Sequence, residues 1–276
     1  MKSLPSAITA PLGGARNAAP ERSADPLDYQ RIPRPLAAMA KSFGDGHLIE
    51  RHHHARAQLV YAVSGVMTIQ TDTATWLVPP DRALWLPAGV HHQIRVSGAL
   101  EMRTLYVRDD ASAHLPAHCQ VLAVSPLLRE LVVRATELPL LYDQSGPAGA
   151  VVALILAEIE ALPSLPFHLP IPTDRRLARL CSLVQADLAA NHSREHYASR
   201  VGISPRSLTR LFRMQAGMGF NQWRQKARLL VALQRLGTGE PVTEVALGLG
   251  YNSPSAFSSM FRRVLGIAPR DCLRPR

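Results

Sequence analysis

The last third of this 276-residue chain carries one helix-building pattern twice, 49 residues apart. Ser204-Pro205 and Ser253-Pro254 each place a hydroxyl where it can accept an orphan N–H, and a proline where its fixed φ suits the first helical position. Leu208, Leu211 and Phe212 follow at i, i+3 and i+4, and Phe257, Met260 and Phe261 repeat the stripe. Gly217 and Gly266 stand where each helix should stop. A short helix and a turn precede each copy: residues 195–200 with Gly202, then residues 242–250 with Tyr251-Asn252. One long helix over residues 221–236 joins them, and Leu177, Leu180, Val184 and Leu188 make an amphipathic helix before them. The pattern predicts an all-α module with two helix-turn-helix units.

The charge distribution fits that reading. Residues 171–276 hold 17 Lys+Arg against 6 Asp+Glu, whereas the first 170 hold 14 against 15. All of the net charge of +10 therefore lies in the C-terminal part, as expected of a phosphate-binding module attached to a neutral domain. Only Lys226 among those 17 is lysine. Arginine suits bidentate contact with phosphate and guanine.

The first half reads differently. Residues 1–35 are rich in Ala, Pro, Ser and Arg with no apolar period, which predicts a flexible arm. From residue 44 to 107, short β-rich runs alternate with turn signals such as Ser64-Gly65, Pro79-Pro80-Asp81, Pro87-Ala88-Gly89 and Ser97-Gly98. That spacing predicts a small antiparallel sandwich or barrel. Strands are expected to end by Leu115. Ser125-Pro126 opens one helix, and residues 147–162 form a second, able to cover the barrel or to pair two protomers. Pro163, Pro166, Pro170 and Pro172 then predict a stiff linker. The expected division is an arm over 1–35, a β domain over 36–112, a helical extension and linker over 113–170, and the DNA-binding module over 171–276. Cys119, Cys181 and Cys272 form neither a disulfide framework nor a cysteine zinc site. Residues 1–20 lack a signal-peptide core, and no apolar run is long enough to span a bilayer, so a cytoplasmic protein with no membrane partner is expected.

The C-terminal module resembles the AraC/XylS family of bacterial transcription regulators. The residues carrying the resemblance are G-I-S-P-R-S-L-T-R-L-F from Gly202, G-F-N-Q-W-R-Q-K-A-R-L-L-V-A from Gly219, and V-T-E-V-A-L-G-L-G-Y-N-S-P-S-A-F-S-S-M-F-R-R-V-L-G-I-A-P from Val242. The resemblance covers about the last hundred residues. It implies two helix-turn-helix units reading neighbouring major-groove segments of an operator. Carried over by position, Arg206, Thr209 and Arg210 are the base-reading candidates of the first unit, with Arg213 beside them. Ser255, Ser258 and Ser259 are those of the second, and Arg262 and Arg263 suit phosphate. The second helix lacks long polar side chains where the family often has Gln or Arg, so it is expected to grip backbone or read shape.

The β domain resembles the cupin superfamily, through His52-His53-His54, Gln58 and Gly65 after Gly46, and through Pro87-Ala88-Gly89 before His91-His92. In metal-binding cupins two histidines two apart, an acidic residue and a later histidine meet inside the barrel. The equivalents here are His52, His54, Gln58 and His92. Positions i and i+2 of a strand share a face, and imidazoles are good ligands for first-row metals. Three departures stand out: Gln58 replaces the usual glutamate, Asp81 stands where glycine is usual, and Val96 where asparagine is usual. A divalent transition metal is thus the one cofactor candidate, with a metal-free polar ligand pocket or simply exposed histidines as the alternatives. Tyr61, Trp85 and Arg103 are further candidates for effector contact.

The fold class expected is a multidomain α and β chain, a cupin-like antiparallel barrel followed by the tandem helix-turn-helix module. The function expected is a ligand-responsive transcription regulator that is not an enzyme, with operator DNA, a small-molecule effector, RNA polymerase and a second copy of the chain as partners. A metal-dependent cupin enzyme with a DNA-binding tail is the alternative.

Overall fold

The computed structural model describes residues 25–165, 167–265 and 268–271. Most of the expected arm, Pro166 of the proline run and the second stop, Gly266, lie outside the described residues.

An antiparallel sheet of nine strands among the described residues builds the N-terminal half. In order these are β1 (Leu36–Phe43), β2 (Leu48–His52), β3 (Ala57–Thr71), β4 (Ala74–Val78), β5 (Arg82–Leu86), β6 (His92–Val107), β7 (Gln120–Ala123), β8 (Ser164–Leu165) and β9 (His168–Pro170). Two long strands form its spine: β3 and β6 pair from Ala57 opposite Val107 to Thr71 opposite His92. β1 and β2 pair with the two ends of β6, and β5 and β4 with the two ends of β3. The expected breaks at Ser64-Gly65 and Ser97-Gly98 are bends within these strands, where the register shifts between Ala62 and Val66.

The strands do not stop at Leu115. β7 pairs with β5, β8 with β7, and β9 with β4. The segment expected to be a helical extension and linker therefore holds both expected helices and also adds three short strands to the sheet. These strands are too short to show a period of two. Pro170 fits because it stands at the end of β9, which among the described strands pairs with β4 alone. Alanine-rich β1 was equally hard to see, since its sequence lacks β-branched residues and pairing with β6 holds it.

Alternation sends Leu59, Tyr61, Trp85 and Leu105 to one face of the sheet. There they pack under α2 (Pro126–Ala135) and α3 (Pro147–Ala161), with α1 (Asp109–Ser112) the short turn before β7. Ser125 caps α2 by accepting from the Leu128 N–H, and donates to Glu158 of α3 at 2.6 Å. The buried faces of these helices thus cover the sheet, through Leu128, Val132, Val152 and Ile155. The described end of the arm is also packed. A 3-10 turn over Pro26–Tyr29 brings Tyr29 against Tyr106, and the buried Arg56 guanidinium donates to the carbonyls of Gln30, Ile32 and Arg34.

The C-terminal half is helical: α4 (Arg175–Ala186), α5 (Arg194–Arg200), α6 (Pro205–Ala216), α7 (Phe220–Gly237), α8 (Val242–Gly248) and α9 (Pro254–Leu265). The repeat is real but not strictly periodic. α8 follows α5 by 48 residues and α9 follows α6 by 49, so the second turn holds one extra residue. Both serine caps form, with the N–H of Ser207 and of Ala256 each donating at 3.1 Å to the hydroxyl three residues before. Gly217 ends α6 in the left-handed region, at φ 67°.

Helix α7 lies between the two units and against the sheet. At its start the Trp223 indole N–H donates to the Pro170 carbonyl at 2.8 Å. At its end Gln234 donates to the Ser97 hydroxyl at 2.8 Å. Gly237 lies so close to β3 that an added Cβ would fall 2.2 Å from Val66 Cγ2, a stiff β-branched side chain. Gly237→Ala should lower stability by about 1–3 kcal/mol through overpacking. Val66→Ala in the same chain should restore part of the loss, measured by urea unfolding. No rescue would place the cost elsewhere.

Candidate functional site

Two groups of residues are candidates, one on the helical module and one at the rim of the barrel. On the module, the apolar stripe of α6 faces inward, with Leu208 and Phe212 fully buried against Phe220 and Trp223. Helical geometry then turns Arg206, Arg210 and Arg213 outward, and all three are exposed. With Thr209, Pro205 and Arg194 they line one open groove. No carboxylate pairs with Arg206, Arg210 or Arg213 among the described residues. Thr209 is half-buried, and its hydroxyl donates to the Pro205 carbonyl at 3.0 Å, which leaves it less free than the arginines. Arg194 was missed in the sequence. It opens α5 just after the Ser193 cap, and its guanidinium reaches the Thr209 hydroxyl at 3.5 Å.

In the second unit Phe257, Met260 and Phe261 are buried. Ser255 and Ser259 are exposed, Ser258 is half-buried, and Arg262 and Arg263 are exposed at the far end of α9. Two other arginines of the basic module serve the scaffold. Arg224 donates to the Ala190 carbonyl at 2.8 Å and lies over the Tyr197 ring, while Arg228 donates to the Leu188 carbonyl at 2.7 Å.

At the barrel rim, His52, His54 and His92 come together. One ring nitrogen from each lies within 4.8 Å of the others. The expected i, i+2 strand geometry holds only in part, because β2 ends at His52 and His54 lies in the loop beyond it. That loop is held by the Gly89 N–H, which donates to the His54 carbonyl at 2.9 Å. His92 begins β6, directly opposite His52 in the ladder. His52 Nδ1 lies 2.6 Å from the Glu50 carbonyl and His92 Nδ1 lies 3.0 Å from that of Val90. A carbonyl can only accept, so each ring donates through Nδ1 and leaves Nε2 as a free lone pair.

Burial favours the neutral form of two of these rings, His54 and His92. Burial, followed by the neighbouring His52, lowers the His54 pKa to about 3. Burial lowers that of His92 to about 4, against a raising contribution from its bond to Val90. Among the described residues, His54 Nδ1, His92 Nε2 and Gln58 Oε1 are buried polar atoms without a hydrogen-bond partner. Neutral imidazoles with inward lone pairs are the donor set of a borderline metal ion, so His52, His54 and His92 fit one. Gln58 fits less well. Its amide nitrogen donates to Thr104 at 2.9 Å, and Tyr106 faces it across the ladder, edge-on to His54. His53 and His91 form a separate exposed pair, with ring centroids 4.4 Å apart.

The three other candidates are not brought to this site. Tyr61, Trp85 and Arg103 alternate onto the opposite face of the sheet. Tyr61 and Trp85 are 1% exposed under α2 and α3, where the Trp85 N–H donates to the Pro116 carbonyl at 2.7 Å. Burial and the nearby Asp81 push the Tyr61 pKa up to about 12. Arg103 pairs with Glu101 at 3.3 Å. A one-residue parity difference along β3, β5 and β6 separates them from the barrel interior. Asp81, standing where the cupin pattern usually has glycine, takes a positive φ of 59°. Aspartate tolerates that conformation better than most residues, so the turn survives the replacement.

Known proteins resemble both halves. A profile of the family described as Helix-turn-helix domain matches residues 197–274, and one described as AraC-like ligand binding domain matches residues 42–145. HTH-type transcriptional regulator NimR of Escherichia coli K12 is 31% identical over 218 residues, which cover 79% of this chain and 80% of NimR. The arabinose operon regulatory protein of the same organism is 30% identical over 132 residues, 47% of this chain and 44% of that protein. A crystal structure of ToxT from Vibrio cholerae aligns over 87% of this chain and 97% of ToxT, at 14% identity and a TM-score of 0.38. No helix among the described residues is long and apolar enough to cross a membrane. The chain belongs to the AraC family of transcriptional regulators, with a helix-turn-helix DNA-binding domain joined to an AraC-like ligand-binding domain.

Proposed function

We propose that the two helix-turn-helix units divide the work of operator binding, and that a ligand at the barrel sets operator affinity. The observation that carries this is the groove of unpaired arginines on α6, set beside a serine-rich α9. Arg206 and Arg210 have the reach and the planar donor set to read guanine edges. Ser255, Ser258 and Ser259 are short, and Arg262 and Arg263 anchor α9 to phosphates. The relatives are transcription regulators, which supports a role without catalysis, as does Gln58 in place of an acid–base carboxylate.

The test uses a duplex selected from a random pool by the full chain. Arg210→Ala should cost about 1–3 kcal/mol on that duplex and relax preference at one base step. Arg262→Ala should weaken binding to selected and random DNA alike, and reduce the salt slope by about one. Equal losses on both DNAs for Arg210→Ala would remove it from base reading.

The same reading includes a homodimer. Leu127 of α2 and Leu154 of α3 are 47% and 42% exposed on the helix pair that covers the sheet. These side chains support pairing of two copies through that layer. Light scattering should give twice the chain mass for the native protein and the single mass for Leu127→Glu/Leu154→Glu. A native monomer at micromolar concentration would end that part of the reading.

A further inference from the structure

We propose that the ligand read by the barrel is a divalent first-row transition-metal ion on His52, His54 and His92, and that strand β6 carries its occupancy to helix α7. This rests on the regulatory reading above and names the ligand and the route. Most of the buried side chains that share the inward face with these histidines are apolar, among them Val60, Ala62, Met67, Ile69, Leu84 and Met102, and the polar Gln58 donates to Thr104 on the same face. A polyhydroxylated organic ligand needs several convergent polar partners, and away from the histidines this face supplies few. At the rim, by contrast, ring nitrogens from three histidines converge within 4.8 Å, and two of the three rings present buried nitrogens without a partner. An ion would satisfy them at once, and three protein ligands leave it an open position. Two of the rings are already oriented through Nδ1 by the backbone carbonyls of Glu50 and Val90, the arrangement that fixes a ligating histidine.

The donors come from two separate segments. His52 and His54 lie at the end of β2 and in the loop after it, and His92 is the first residue of β6. An ion would cross-link these segments where β6 begins. Five residues along the same strand, about 17 Å at ~3.4 Å per residue, Ser97 accepts the hydrogen bond of Gln234 from α7. Ser97 is paired in the ladder with Val66, the residue that abuts Gly237. The strand that starts at the ion site therefore ends its first half on the helix that joins the two DNA-binding units.

Untagged full-length protein, stripped with chelator, is titrated with Zn(II), Co(II) and Ni(II) and assayed for metal content and for affinity to the selected duplex. The expected result is one ion per chain, a ligand-field spectrum with Co(II), and a change in duplex affinity of about fivefold or more. His52→Ala, at the half-exposed edge of the site, should keep the native circular dichroism, bind the ion at least about tenfold more weakly and lose the affinity change. His53→Ala, on the separate exposed pair, should behave as wild type. Ser97→Ala should bind the ion normally and lose the affinity change. No stoichiometric binding, or binding unaltered by His52→Ala, overturns the site. A full affinity change in Ser97→Ala, or ion binding with no affinity change in the wild type, overturns the signal route. If no form of the protein selects DNA, the regulatory reading and the signal role fall together, and the titration still decides the site.

Discussion

Helix α7 is the element on which the rest of the structure depends. Its Trp223, Ala227, Leu230 and Leu233 are buried, and the apolar core they belong to contains residues of both helix-turn-helix units and of the sheet. Trp223 is tied to the end of β9, Gln234 to the bend of β6, and Arg224 and Arg228 to the carbonyls that follow α4. Eighteen residues give it a length of about 27 Å, at ~1.5 Å per residue, of the order of the spacing between successive major grooves. The helix thus acts as a ruler between the two units and as the surface on which the ligand-binding domain rests.

That double role explains how the basic charge of the module is used. Arginines on the inner side of α7 satisfy backbone carbonyls and lie over aromatic rings, and so serve the scaffold. The arginines of α6 face away from the core, without a carboxylate partner among the described residues. A count of positive charge could not separate these groups, whereas helical phase does: Arg206, Arg210 and Arg213 lie opposite Leu208 and Phe212.

Much of this was legible in the sequence because the signals were local. Ser-Pro caps, an i, i+3, i+4 stripe and a glycine stop depend on neighbours within a few turns, and α6 and α9 formed where those signals placed them. The histidine cluster was legible through a family pattern, although His54 lies past the end of its strand. What could not be read depended on distant pairing. β1, β7, β8 and β9 carry weak or very short patterns and exist through their partners in the ladder. The proline run reads as a stiff linker because prolines break helices, yet β8 and β9 form within it by pairing with β7 and β4. Tyr61, Trp85 and Arg103, the candidates for effector contact, lie on the face of the sheet away from the histidines, and a period of two does not by itself say which face the helices cover.

In the proposed reading, α7 presents two reading units to one side of a DNA duplex. Hydroxyl-radical footprinting of the full chain on its selected duplex tests this most directly. Two protected patches on the same face, about 34 Å apart, are the expected result. A single patch, or two patches on opposite faces, would contradict the placement of both units about α7.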